Sequence, residues 1–155
     1  MKRNKYVLRT LLFAALTCLI IIPGRAKSNN IPYRVADHYF VSNTVKKLPT
    51  AKITTQKEFD ELFGCAPVMG KNGEPTPIDF SKEYVIAVSK PETYHSETLT
   101  PISLTREKRN RIVFTYKVEI GSKQTYTIVP CLLIIVSKKE NGIVKLRERI
   151  FKIRK

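Results

Sequence analysis

Residues 112–120 read Ile-Val-Phe-Thr-Tyr-Lys-Val-Glu-Ile. Ile112, Phe114, Tyr116, Val118 and Ile120 alternate with Val113, Thr115, Lys117 and Glu119. Successive side chains of a strand point to opposite faces, so a period of two gathers five large apolar groups on one side of a sheet. A helix would scatter the same residues around its axis. The stretch is therefore a half-buried β-strand, and its apolar side needs a second layer to cover it.

The flanking runs extend this sheet. Residues 84–88 (Tyr-Val-Ile-Ala-Val) and 132–136 (Leu-Leu-Ile-Ile-Val) are apolar without alternation. Strands covered on both faces read this way, so the second run is expected to lie centrally. Residues 99–105 form a further strand, which Pro101 places at an edge or at its own start. Gly121-Ser122 predicts a turn, and residues 124–129 predict another strand, interrupted by Pro130. Asn141-Gly142 is a two-residue hairpin signal leading into residues 143–153. There Val144, Leu146 and Ile150 alternate with Lys145, Arg147 and Arg149, which predicts a half-buried strand with a basic outer face. Runs this close together, joined by short turns, predict antiparallel pairing.

Before the sheet comes one helix. In Thr55-Gln56-Lys57-Glu58 the threonine hydroxyl can accept from the Glu58 backbone N–H, and the Glu58 carboxylate can reach back. Phe59, Leu62 and Phe63 follow at helical spacing, and Gly64 stands where a helix stop wants a positive φ. The spacing predicts a helix over 56–63. Its apolar face is expected to dock on residues such as Ile86, Phe114, Tyr116 and Ile134. Residues 33–41 read as extended, with Tyr33, Val35 and Tyr39 on one side; 42–50 are a polar connection and 51–53 a short approach to the helix. The fold class is α+β and mostly β, one short helix packed on an antiparallel sheet, with a sandwich as one way to fold that sheet.

The N-terminus reads differently. Lys2, Arg3, Lys5 and Arg9 precede an apolar run over 11–22, which ends at Pro23. Gly24 and Ala26 put small residues at −3 and −1 of a cut after Ala26. Charge, apolar core and small-residue exit in that order define a secretory signal, and the run is shorter than the roughly 20 residues of a membrane span. Cys18 follows Ala15-Leu16-Thr17, a poor lipobox. The organisation expected is therefore a signal over 1–26, then one domain over 27–155, with 27–50 as its extended N-terminal segment and 51–155 as its β-rich body. Export implies a periplasmic or secreted protein; an uncleaved anchor, with the helix counted from Val7, is the alternative and would leave it on the membrane.

The chain has 28 Lys+Arg against 13 Asp+Glu, for a net charge of +15. Five of the basic residues and none of the acids lie in 1–26, so the remainder carries +10. Lys145, Arg147 and Arg149 make a candidate polyanion face. Single-stranded nucleic-acid readers interleave aromatic with basic side chains, and this stretch has only Phe151, so no nucleic acid is expected as a partner. Anionic glycan or lipid head groups fit the charge. Cys65 and Cys131 either form a disulfide, which an oxidising compartment allows, or stay separate thiols, as the apolar setting of Cys131 favours. Neither His38 nor His95 has a ligand or catalytic partner at a recognisable spacing, and the cysteines have no CxxC, so no metal, cofactor or catalytic residue is expected. Binding then falls to the polar segments 66–77 and 90–98, both read as loops. Val68, Lys71, Asn72, Glu74, Glu92, Tyr94, His95 and Glu97 are their candidate contacts.

The order of the helix over 55–63, Ile78-Asp79-Phe80-Ser81-Lys82 and the strand 84–88 resembles the C-terminal domain of PrcB-type protease-complex subunits. So does the later pattern of strand 112–118 followed by the Pro130 block, Val129-Pro-Cys-Leu-Leu-Ile-Ile-Val136. The likeness covers about residues 51–137. It implies an exported, non-catalytic accessory that helps a surface protease complex form or persist. Two departures stand out: Lys90-Pro-Glu-Thr-Tyr-His-Ser-Glu97 replaces the glycine-rich turn the family often has after its counterpart of strand 84–88, and there is no proper lipobox. The sequence thus supports a non-catalytic protein-binding module with an exported or envelope partner. A binder of anionic surfaces and a small hydrolase with an unrecognised site are the alternatives.

Overall fold

The computed structural model describes residues 29–70, 73–108 and 110–152. The signal-like segment, Cys18, Lys71 and Asn72 lie outside the described residues. The chain forms β1 (Arg34–Val35), β2 (Tyr39–Val41), β3 (Lys52–Ile53), α1 (Gln56–Leu62), β4 (Phe63–Cys65), β5 (Glu83–Ser89), β6 (Thr93–Lys108), β7 (Arg111–Ile128), β8 (Cys131–Ser137) and β9 (Ile143–Lys152). The fold is α+β and mostly β, with one short helix.

The strands build three layers. The central sheet has the order β1-β8-β5-β3 and is antiparallel throughout. Its even-numbered face carries Tyr84, Ile86, Val88, Leu132, Ile134 and Val136. These pack on Leu104, Ile112, Phe114, Tyr116 and Val118 of a second sheet, β6-β7-β9. Its odd-numbered face carries Val85, Ala87, Leu133 and Ile135, which pack on Phe59, Phe63 and Val41 of α1 and the β2-β4 pair. Both faces of β5 and β8 are thus covered, which is why these two runs show no alternation.

This layering corrects the expected docking of the helix. Phe59 and Phe63 meet Val85, Ala87, Leu133 and Ile135, not Ile86, Phe114, Tyr116 and Ile134, which lie on the far side of the central sheet. Helix periodicity shows that a face is buried; the parity of the receiving strands decides against what.

The start of α1 forms as its sequence predicts. Thr55 Oγ1 accepts from Glu58 N at 3.2 Å, and the Glu58 carboxylate accepts from Thr54 N at 3.2 Å. That backbone bond, with the threonine hydroxyls, holds the Glu58 carboxyl below its ordinary range. Thr55→Ala is expected to lower stability by about 1 kcal/mol, the usual worth of an N-cap, measured by urea unfolding. The helix end differs from expectation. Phe63 closes it in extended conformation, and Gly64 lies inside β4 opposite Phe40. A Cβ on Gly64 would sit 2.5 Å from the Phe40 ring, so the glycine is there for close approach and not for a positive φ.

Two sequence-based turns and part of one loop differ from expectation. Gly121-Ser122 is inside β7, which runs through 18 residues. A Cβ on Gly121 would come within 3.3 Å of Ser96 O, so this glycine too serves a close approach, beside the register shifts that bend β6 between Thr93 and Glu97. Residues 93–98, read as loop, are the first part of the 16-residue β6. Asn141-Gly142 makes no hairpin: β9 leaves the central sheet and pairs with β7 in parallel. Side chains fix that crossing, with Tyr84 donating to Glu140 O at 2.8 Å and Arg106 to the Glu140 carboxylate at 2.6 Å.

Candidate functional site

Among the described residues, polar or apolar groups collect outside the two cores in several places. The first joins the sheets. Lys90, just past β5, donates to both carboxylate oxygens of Glu148 on β9 at 3.0 Å, and Tyr116 on β7 donates to Glu148 Oε2 at 2.8 Å. Burial pushes the Glu148 carboxyl up, but the bonds from Lys90 and Tyr116 and the lysine charge outweigh it and hold the group below its ordinary range. Tyr116 is raised by burial and by the carboxylate it faces. The trio lines a cleft of 320 Å³ with Leu48, Pro49 and Leu146. Lys90 and Glu148 neutralise each other and the phenol is engaged, so the arrangement works as a latch between layers. Its sequence signal is Glu148 itself, a carboxylate on the apolar side of the alternation, a position that requires a partner.

The second place is the end of the β6-β7 ribbon beyond the core. Thr93 pairs with Ile128, and Thr127 donates to the Glu92 carboxylate. Tyr94 and Tyr126 are 53% and 59% exposed, Val129 is exposed as well, and Lys123 Nζ sits 5.9 Å from the Tyr94 ring centre. Glu92 and Val129 also line a 540 Å³ cleft closed on its other side by Val41, Ser42, Val45 and Lys46. His95 is exposed and its backbone N–H is held by Thr93 Oγ1; Glu97 is partly buried.

The segment 66–77 is anchored elsewhere. Asp37 N donates to Thr76 Oγ1 at 3.0 Å, and Tyr39 donates to Thr76 O at 2.8 Å. Val68 and Glu74 are exposed. The described part of the segment is thus tied to the chain around β2.

The third place is the outer face of the β6-β7-β9 sheet. Lys145, Arg147 and Arg149 stand in line on it, in register with Val113, Thr115 and Lys117. Arg147 donates to Glu107 on β6 at 2.7 Å. This pair spans β7, whose Val113 and Thr115 are buried on the same face. Lys117 pairs with Glu119 at 2.9 Å. Ile150, expected on the apolar side, is 58% exposed on the edge strand although its register partner Val118 is buried.

Cys65 and Cys131 are free thiols. Cys65 is the register partner of Tyr39 across β2-β4, while the Cys131 thiol donates to Tyr39 O at 3.8 Å. Ala66 N donates to His38 O, so by alternation Tyr39 O points away from β4. The β2 backbone lies between the two sulfurs, and the disulfide is not formed. Cys65 is exposed, whereas burial pushes the Cys131 thiol up. Brief alkylation of the native protein is expected to label Cys65 and spare Cys131, read by peptide mass mapping; equal labelling would show β2 opening from β8.

Among the described residues, no group of three or more His, Cys, Asp or Glu comes together as metal ligands, and no helix is long and apolar enough to cross a membrane. Comparison with protein-family models, curated proteins and solved structures finds no match for the chain.

Proposed function

We propose that this chain is an exported, non-catalytic protein-binding module whose contact centre is the end of the β6-β7 ribbon. The observation that carries the reading is the pair of half-exposed tyrosines, Tyr94 and Tyr126, beside the cleft at Glu92 and Val129. Tyrosine is enriched where binding energy concentrates, because it offers a large rigid surface with a polar tip at small entropic cost. The ribbon is anchored where Leu99, Leu104 and the even-numbered residues 112–120 pack on the central sheet, which ties its end to a fixed base. The leader-like N-terminus supports export. The resemblance to PrcB-type subunits supports a partner in the envelope, such as a protease or its assembly.

A photo-crosslinking residue placed at Tyr94 in the native cell tests this. The expected result is one discrete protein adduct, absent when the probe sits at the exposed helix position Lys57. No protein adduct at Tyr94 or Tyr126, or turnover by the purified chain that is lost in His95→Ala, would overturn the reading.

A further inference from the structure

β9 is the last strand of its sheet, paired with β7 on one side only. Its ten residues thus present an unpaired row of backbone groups along the other edge among the described residues. Ile143, Ile150 and Phe151 on it are 67%, 58% and 50% exposed. Arg147 is engaged by Glu107, but Lys145 and Arg149 have neither an ion pair nor a side-chain hydrogen bond among the described residues. They lie on the same outer face four residues apart, about 13 Å along a strand.

A second copy is a poor occupant. Antiparallel pairing of β9 with itself about Arg147 would set arginine against arginine and Lys145 against Arg149, and like charges directly opposite are destabilising. The same charges that repel a copy favour an acidic chain. We propose that the free edge of β9 takes an extended acidic segment of a partner protein as an added strand. Carboxylates at alternate positions of that segment face Lys145 and Arg149, and apolar side chains on its other side extend over Ile150. The backbone row supplies affinity, and the spacing of the two free cations supplies register. This surface is separate from the tyrosine-bearing ribbon end, so either assignment can fail alone.

The test uses the full chain and a ten-residue probe peptide alternating Glu with Val. The peptide is expected to bind, more weakly as salt rises, and to protect β9 amides from hydrogen exchange. Lys145→Glu/Arg149→Glu is expected to weaken binding by about tenfold or more, since each reversal removes one exposed attraction and adds a repulsion. Neither side chain supports the fold, so the thermal melt of the double variant is expected to match the parent. Equal binding of a scrambled peptide with carboxylates on both faces would overturn the proposal, as would binding without β9 protection. A heparin fragment that outcompetes the peptide on the same two residues would overturn it in favour of a glycan site. A dimer dispersed by the double variant would overturn it in favour of self-association.

Discussion

Phe59→Ala is expected to be among the most damaging substitutions in the chain. Phe59 is 3% exposed and is the one buried residue of α1. Its ring meets Tyr39 edge-on at 5.1 Å, stacks on Phe63 at 5.2 Å and lies 5.6 Å from Phe80. Truncation removes the centre of this group and leaves a cavity that a seven-residue helix with one buried anchor cannot close by shifting. Losses of about 3–5 kcal/mol follow from such deletions. For a domain of this size that lowers the melting temperature by roughly 10–20 °C. Differential scanning calorimetry reads it directly, and a shift of only a few degrees would show that the helix layer adds little. The layering also predicts additivity. Phe59→Leu and Ile112→Val strike cores on opposite faces of the central sheet, with no shared partner, so their costs should sum within about 0.5 kcal/mol.

The sequence displayed some of these elements and concealed others for identifiable reasons. The helix was legible because Thr55 and Glu58 cap it and Phe59 faces one way. β5 and β8 were legible as central strands because a run without alternation has only one cheap explanation, cover on both sides. The misread segments share a cause. In a local reading glycine at 121 and 142 signals a turn and at 64 a helix stop, yet Gly64 and Gly121 are small because another group approaches them. Asn141-Gly142 has the letters of a hairpin, but β9 finds its partner on a strand that precedes β8, which no local signal encodes. The alternation of Lys145, Arg147 and Arg149 placed all three on one face correctly, since period two needs only the backbone. Tyr94 and His95 were expected on a loop because Pro91 and the polar residues around them resemble one, while bulges let the same residues continue a bent strand. Glu148 on the apolar side of its strand signals that a partner is needed, but not which one, because Lys90 and Glu148 are 58 residues apart.

That latch yields the second large effect. The side chains of Lys90 and Glu148 are each 26% exposed, so the pair lies between a surface bridge and a buried one. Removing one partner of a fully buried pair costs about 3–5 kcal/mol, and of an exposed pair about 1 kcal/mol or less. Glu148→Gln and Lys90→Met are therefore each expected to cost about 2 kcal/mol at neutral pH. The double variant Lys90→Met/Glu148→Leu should lose less than the sum, because no charge is left stranded. The pH dependence follows from the directions of the shifts. Glu148 ionises more readily in the folded chain than its ordinary value of 4.5, so its contribution is full above that pH and fades as the pH falls through the depressed value. Tyr116 holds its proton more tightly folded than unfolded, so its contribution is full below its ordinary value of 10.0 and is lost as the pH rises beyond it. Urea unfolding across pH should thus show the parent losing its advantage over Glu148→Gln in acid, since protonation of the parent carboxyl removes what the substitution removes. An advantage that stays constant from neutral pH down to about pH 3 would mean that Glu148 stabilises the junction by packing alone, and that the charge on Lys90 contributes nothing to holding the two sheets together.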